Sequence, residues 1–172
     1  MAGLRPEIGP VPLVLIVGSF PGPLSLGLSS YYANPRNQFW EIMEVLLGID
    51  KTLPYIERIR SLKDHHVALW DSVETCRREG ALDSGIRNPV LNDIGGLIRN
   101  QSSIKMIGAN GKVAGKFLFR ALGRREDDSG SPILVTLPST SPANSQVSLE
   151  RKIDIWRDAL AGFEGSPFMR KS

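Results

Sequence analysis

The sequence predicts an α/β fold: a three-layer αβα sandwich around a central, mostly parallel four-stranded sheet. Three observations point there. Four short runs, "LVLIVGS", "HVALWDS", "IKMIGA" and "ILVTL", are continuously apolar, as strands buried on both faces are. Amphipathic helical patterns alternate with them. No repeat or shift in composition marks a second domain, so the 172 residues are expected to form one domain. Its core is expected over about residues 11–163, with residues 164–172 as a frayed tail.

The first strand begins at Leu13. Behind it comes "FPGPLSLGLSSYYANPRN", which reads as one long Gly/Pro/Ser-rich loop. Loops beyond ~12–15 residues inside a domain are uncommon and are usually functional. "QFWEIMEVLLGI" places Phe39, Trp40, Met43, Leu46 and Leu47 at helical spacing, with Asn37 positioned to cap the helix. A second helix, "TLPYIERIRSLKDHH", carries Ile56, Ile59 and Leu62 on one face, and the second strand follows from about Val67 to Trp70. "VETCRREGALDSGIRNP" reads as mixed loop and short helix, and "VLNDIGGLIRNQ" as helix.

The third strand spans Ile104–Ala109, and "NGKVAGKFLFRALG" is a helix closed by Gly123. "REDDSGSP" reads as a polar turn, with "RREDD" as solvated charge. The fourth strand, Ile133–Leu137, runs into "PSTSPANSQVS". The last helix sets Leu149, Ile153, Trp156 and Leu160 on one stripe.

Composition narrows the function classes. Hydrophobic residues at 41% suffice for a sizeable core, and no apolar run approaches the ~18 residues of a membrane span. The opening "MAGLRPEIGPVP" lacks a signal-peptide layout, so an intracellular protein is expected, cytoplasmic or nucleoid-associated. The lone Cys76 excludes an intrachain disulfide, and the adjacent His65 and His66 sit in no metal-binding pattern. No metal and no cofactor is expected. The net charge of +3 permits a polyanionic partner without demanding one.

In parallel sheets, ligands bind outside the carboxyl ends of the strands. The loops after the first and fourth strands, "GSFPG…NPRN" and "LPSTSPAN", belong to that edge. Together they resemble the motifs of the uracil-DNA glycosylase superfamily. The ordered set "GSFPG", "YYANPRNQFW", "LWD", "LDSGI", "NGK" and "LPSTSPAN" most resembles its hypoxanthine-DNA (deoxyinosine) glycosylase branch. The matches run from Gly18 to Trp156. Two departures from other branches stand out. Asn34 occupies the place of a histidine, and Phe20 the place of the water-activating Asp or Asn of the first motif.

The resemblance implies a uracil-DNA glycosylase-like fold and a monofunctional DNA glycosylase. Such an enzyme flips a deaminated base, most often hypoxanthine here, and hydrolyses its N-glycosidic bond to leave an abasic site. In that branch the catalytic asparagine is the one in "PRN", Asn37 in this sequence. The base pocket would comprise Gly18, Ser19, Phe20, Pro21, Gly22, Tyr31, Tyr32 and Asn34, with Phe20 and one tyrosine stacking on the base. DNA contacts would come from Arg36, Asn110, Lys112, Ser139, Thr140 and Ser141, with Pro142, Ala143 and Asn144 as a wedge. DNA, duplex or single-stranded, is the expected partner of a monomer that engages no membrane.

Plainer readings stand beside these. Asn37 is also a good helix cap, Asn34 a good turn residue, and "STS" a plausible capping turn. Phe39, Trp40 and Trp156 read as core, and Cys76 as a packed thiol. Asp71 and Asp83 read as structural carboxylates that accept backbone hydrogen bonds. A uracil glycosylase of the mismatch-specific type and a non-catalytic nucleic-acid-binding domain remain as alternatives.

Overall fold

The computed structural model describes residues 1–123 and 131–169. The polar turn expected at "REDDSGSP", with its "RREDD" charges, falls mostly outside them.

Four strands, β1 (Val14–Gly18), β2 (Val67–Asp71), β5 (Met106–Asn110) and β6 (Ile133–Leu137), form one sheet in the order β2-β1-β5-β6. Every pairing in it is parallel. A two-stranded antiparallel hairpin, β3 (Val73–Arg78) with β4 (Ile86–Leu91), stands beside this sheet. The helices are α1 (Pro23–Leu28), α2 (Phe39–Leu47), α3 (Tyr55–Asp64), α4 (Ile94–Asn100), α5 (Lys112–Leu122) and α6 (Leu149–Leu160).

Period-two alternation along the strands sorts the core into two layers. Val14, Ile16, Val67, Leu69, Met106 and Leu137 face α2, α3 and α6, where they meet Phe39, Ile42, Met43, Ile59, Leu62, Trp156 and Leu160. Leu15, Val17, Ala68, Ile107 and Ala109 face α4 and α5, against Ile94, Ala114 and Leu118. The three-layer architecture follows from this division. Phe39, Trp40 and Trp156 are core, as expected, and Cys76 is packed in a smaller cluster below the hairpin.

Several local expectations are corrected. The stretch expected as one long loop contains α1, which starts with Pro23 in its first turn, a position where proline is pre-organised for helix. The mixed segment after β2 is the β3–β4 hairpin, joined through a 3₁₀ turn at Asp83–Gly85. Val90 and Leu91 belong to that hairpin, so α4 begins later, capped by the Asp93 carboxylate accepting from the Gly96 amide. Ile56 is 69% exposed and off the buried face of α3. The expected frayed tail folds back through its described part: Phe168 joins the core, and the Ser166 hydroxyl donates to the Leu160 carbonyl at 2.6 Å. Among the described residues, no helix is long and apolar enough to cross a membrane.

The chain leaves β1 toward β2 on one side and β5 toward β6 on the other. The loops leaving β1 and β5 therefore diverge, which opens a crevice at their carboxyl ends.

Candidate active site

Register builds the floor of that crevice. Gly18 pairs with Asp71, and Val17 with Ala109, so Gly18 also stands beside Asn110. Alternation puts Asp71, Gly18 and Asn110 on the same face as Leu69, Ile16 and Gly108. Three strands thus end in one row: carboxyl, no side chain, amide. Gly18 must be glycine because a Cβ there would collide with the Asp71 carboxylate.

Asp71 is 4% exposed, and its Oδ2 has no hydrogen-bond partner among the described residues. Burial, with the nearby charge of Asp83 second, pushes its carboxyl up to about 7. The expectation of a structural carboxylate accepting backbone amides does not hold for Asp71. Among the described residues no amide donates to its carboxylate; its backbone carbonyl accepts from the Asn92 side-chain amide at 2.8 Å. Asp83, in the 3₁₀ turn, is also raised by burial, partly offset by the Ser19 hydroxyl and the Arg78 charge.

Tyr32 closes the row from above. Its backbone is in the left-handed region, φ 55°, and its ring stacks on Phe39 at 4.0 Å between centroids. A non-glycine residue held there costs of order 1–3 kcal/mol, and such strain clusters at functional sites. The buried hydroxyl approaches Gly18 and Asn110 but has no partner in hydrogen-bond geometry. Burial, then the Asp71 charge, raises its pKa further above the usual phenol value. Tyr31 turns the other way: its hydroxyl donates to the Arg5 carbonyl at 3.0 Å, under the N-terminal segment. Of the two tyrosines expected in the pocket, Tyr32 faces the row and Tyr31 is structural.

Phe20 corrects a second expectation. Its ring is 5% exposed and packs with Val73, Cys76, Ile86 and Phe117, which fits the reading of Phe20 as core better than that of an open stacking surface. Arg78 fixes this loop: its guanidinium lies 5.3 Å from the Phe20 ring centroid and donates to the Pro21 carbonyl at 2.7 Å. Gly18, Ser19 and Pro21 are buried with it, and Gly22 precedes α1, where a side chain would meet open space.

The "NPRN" segment is a tight turn. The Asn34 side chain accepts from the Arg36 amide at 2.9 Å, and its carbonyl accepts from Asn37. Asn34 therefore shapes the turn, while Arg36 is exposed at its tip. The cap position of α2 is Gln38, one residue beyond the expected Asn37 and without a side-chain cap bond, but Asn37 Oδ1 still accepts from the Phe39 amide at 2.9 Å. That bond leaves the Asn37 side-chain NH₂ unused and the residue half-buried at the crevice.

The "STSPAN" loop is held from inside. Thr140 is fully buried. Its amide donates to Asn110 Oδ1 and its hydroxyl accepts from Asn110 Nδ2, both at 2.9 Å. Asn144 Nδ2 donates to the Ser139 carbonyl at 3.1 Å. These bonds hold the loop: Thr140, fully buried, serves it from within, while Asn110 and Asn144 are half-buried. Ser139 packs on Gly111, whose φ of 102° only glycine adopts readily. Ser141 is half-buried, Pro142 and Ala143 form an exposed tip, and Lys112 is exposed in the first turn of α5.

Sequence reasoning missed Lys152. It is 1% exposed, and its ammonium donates to Gln38 Oε1 at 2.8 Å and to the Asn144 carbonyl at 2.7 Å. Burial lowers its pKa. Together with the Gln38 amide donating to the Thr140 carbonyl at 3.0 Å, it ties the two motif loops into one unit. The available signal was its place on the buried stripe of α6, one turn before Trp156.

Among the described residues no group of three His, Cys, Asp or Glu side chains gathers as a metal site would. A concavity between α5 and β6, lined by Ala109, Phe119, Leu134 and Thr136 among others, holds no titratable side chain.

Comparison with known proteins places this arrangement in context. The model of the Uracil DNA glycosylase superfamily matches residues 6–160. A Methanosarcina acetivorans protein named hypoxanthine DNA glycosylase is 32% identical over 142 residues, covering 81% of this chain and 85% of its own. A Methanosarcina barkeri protein of the same name is 31% identical over 161 residues, covering 92% and 96%. The solution NMR structure of a Methanosarcina acetivorans protein assigned provisionally to the uracil DNA glycosylases superposes with a TM-score of 0.75. That match has 30% identity and covers 89% of this chain and 92% of that one.

Proposed function

The chain belongs to the Uracil DNA glycosylase superfamily, and from that premise we propose that it is a DNA repair glycosylase that removes hypoxanthine from deoxyinosine by hydrolysis. The observation that carries this reading is similarity along nearly the whole chain to two proteins named hypoxanthine DNA glycosylase. The crevice supports it with two motif loops that meet over one row of strand ends.

The reaction requires the nucleotide to leave the stack and enter the crevice. The oxygen of a water then bonds to C1′ of the sugar, and the C1′–N9 bond breaks with its electron pair leaving on the base. The two protons of the water end on the new hydroxyl and on the free base, so hypoxanthine and an abasic site are the products. Asn37 suits the task of holding the water or the sugar because its oxygen is anchored by the Phe39 amide, which leaves its NH₂ to donate elsewhere. An amide orients but does not act as a base, so the rate must rest on positioning and electrostatics.

DNA engagement falls to the exposed and half-buried groups around the crevice. Arg36, Lys112, Ser139 and Ser141 are the phosphate-facing candidates. The Pro142–Ala143 tip has the exposed, rigid, small character of a wedge for the vacated space. Its geometry rests on the Asn110–Thr140 and Lys152 bonds beneath it.

The test is incubation with end-labelled duplexes bearing one deoxyinosine or one deoxyuridine, followed by alkali and a denaturing gel. Inosine-dependent breaks that need alkali support the reading. Uracil-dependent breaks alone move the specificity within the same chemistry. DNA binding without breaks in either duplex overturns the enzyme in favour of a binding module. Borohydride trapping of a covalent complex would replace hydrolysis by a lyase route.

A further inference from the structure

Lys152 is buried on the inner stripe of α6, and among the described residues no carboxylate pairs with it. Taking an ammonium out of water is expensive, so a buried lysine without a counter-ion is poor material for stability alone. Its ammonium serves two neutral acceptors from different loops instead: Gln38 Oε1 at 2.8 Å and the Asn144 carbonyl at 2.7 Å. A bond from a charged donor is roughly twice as strong as one between neutral groups. The helix that carries the lysine is itself anchored. Ser148 caps α6 by accepting from the Arg151 amide at 3.2 Å, and one turn beyond Lys152 the Trp156 indole donates to the Pro138 carbonyl at 2.9 Å.

Gln38 is the other half of the link. It occupies the cap position of α2, yet its side chain makes no cap bond. Its oxygen accepts from Lys152 and its backbone amide donates to the Thr140 carbonyl at 3.0 Å, so side chain and backbone are both fixed to the second motif loop. That amide lies in the peptide plane shared with Asn37. The Asn37 side chain is fixed in turn by the Phe39 amide at 2.9 Å. Asn37 therefore sits on a backbone whose orientation is set from α6, across the crevice.

Resting on the glycosylase reading and its use of Asn37, we propose that Lys152 is a positioning residue for the hydrolysis: through Gln38 it holds Asn37 in register with the loop that engages DNA. Lys152 touches neither base nor sugar in this account. The link adds placement to the Asn37 amide, not strength. Where catalysis rests on orienting a water or a sugar, a misplacement of about 1 Å can cost about 10²-fold. Lysine suits the task because a compact ammonium on a flexible stem offers three donors and can serve two acceptors at once. Methionine fills a similar volume and joins nothing.

The variants are Lys152→Met and Gln38→Leu, each alone, together, and each combined with Asn37→Ala. Single-turnover excision from a deoxyinosine duplex is followed over a range of enzyme concentrations, which separates the maximal rate from half-saturation. Urea titration establishes that each variant is folded under the assay conditions. Lys152→Met and Gln38→Leu should each lower the maximal rate by about tenfold or more, with a smaller rise in half-saturation. Together they should lose little more than the worse single variant, because both cut one link. In the Asn37→Ala background, Lys152→Met should change the remaining rate by less than about threefold. A lysine that merely supports the fold would lower the urea midpoint and leave the maximal rate of the folded protein intact, or would cost the same factor with and without Asn37. Either result overturns the inference, while wild-type excision keeps the enzyme reading. Should Lys152→Met not fold, Gln38→Leu decides alone, on a half-buried residue, and an undiminished maximal rate overturns the inference. If the wild type releases no base, the enzyme reading falls and this inference with it.

Discussion

Asp71→Asn should make the protein more stable at alkaline pH, and the size of the gain follows from burial. The carboxyl moves from a reference of 3.8 to about 7 in the folded chain, first by desolvation and second by the charge of Asp83. A shift of about 3 units at ~1.4 kcal/mol each is about 4 kcal/mol, an upper bound for a carboxyl this buried. The sign is set by proton binding. Between pH 3.8 and about 7 the folded state holds a proton the unfolded state has released, so stability falls as pH rises through that window. Above it the full cost of the ionised carboxylate is present, and below 3.8 none of it is.

Asp83 is raised in the same direction, and burial, reinforced by the Asp71 charge, also raises Tyr31, Tyr32 and Tyr55, so all three stay neutral phenols across this window. Asparagine removes the ionisation and keeps the volume, though its NH₂ needs acceptors in turn. Urea denaturation of wild type and variant at about pH 5 and pH 8 measures the difference. The gap in favour of the variant should widen by up to about 3 kcal/mol between the two conditions. A gap independent of pH, or a variant less stable at pH 8, would refute the account of Asp71 as a buried, unpartnered acid.

Asn37→Ala removes the acceptor of the Phe39 amide and should cost about 1 kcal/mol of stability, seen as a lower urea midpoint. On the proposed role, the same variant should lose excision by ~10²-fold or more in single-turnover assays. Lys152→Met leaves Gln38 Oε1 and the Asn144 carbonyl without their donor, about 1–3 kcal/mol each, offset by relief of a buried charge. A net loss of about 1–2 kcal/mol is expected by denaturant titration, with weaker binding of duplex DNA as the two loops uncouple. Gly18→Ala sets a methyl against the Asp71 carboxylate, so it should destabilise by more than about 1 kcal/mol. Adding Asp71→Ser should recover part of that loss in a double-mutant cycle.

The four parallel strands were legible because each reads as an unbroken apolar run, although β6, at the sheet edge, is largely exposed. The β3–β4 hairpin was not, since "VETCRR" and "IRNPVL" mix charge, glycine neighbours and a proline, and their ladder is irregular. α1 was hidden for a related reason: six residues of Pro, Leu, Ser and Gly look like loop until their ends are placed. The motif loops were located correctly at one sheet edge, but the division of labour inside them was not. Thr140, Asn110 and Asn144 have side chains suited to phosphate, and the same donors and acceptors suit a loop that must be held from within. The orientation of two adjacent tyrosines depends on the left-handed backbone at Tyr32, which no side-chain pattern announces. Asp71 was visible as the end of a buried strand. Its lack of a partner is a property of three strands in register, and one strand alone cannot show it.

The most direct test of the central claim is to measure free base released from a deoxyinosine duplex by chromatography with mass detection, comparing wild type with Asn37→Ala. The account predicts free hypoxanthine in step with abasic sites for wild type and a collapse of both in the variant. Free uracil from a matched deoxyuridine duplex, with no hypoxanthine released, would contradict the assigned specificity. No free base from either duplex, with DNA binding intact, would contradict the hydrolase itself.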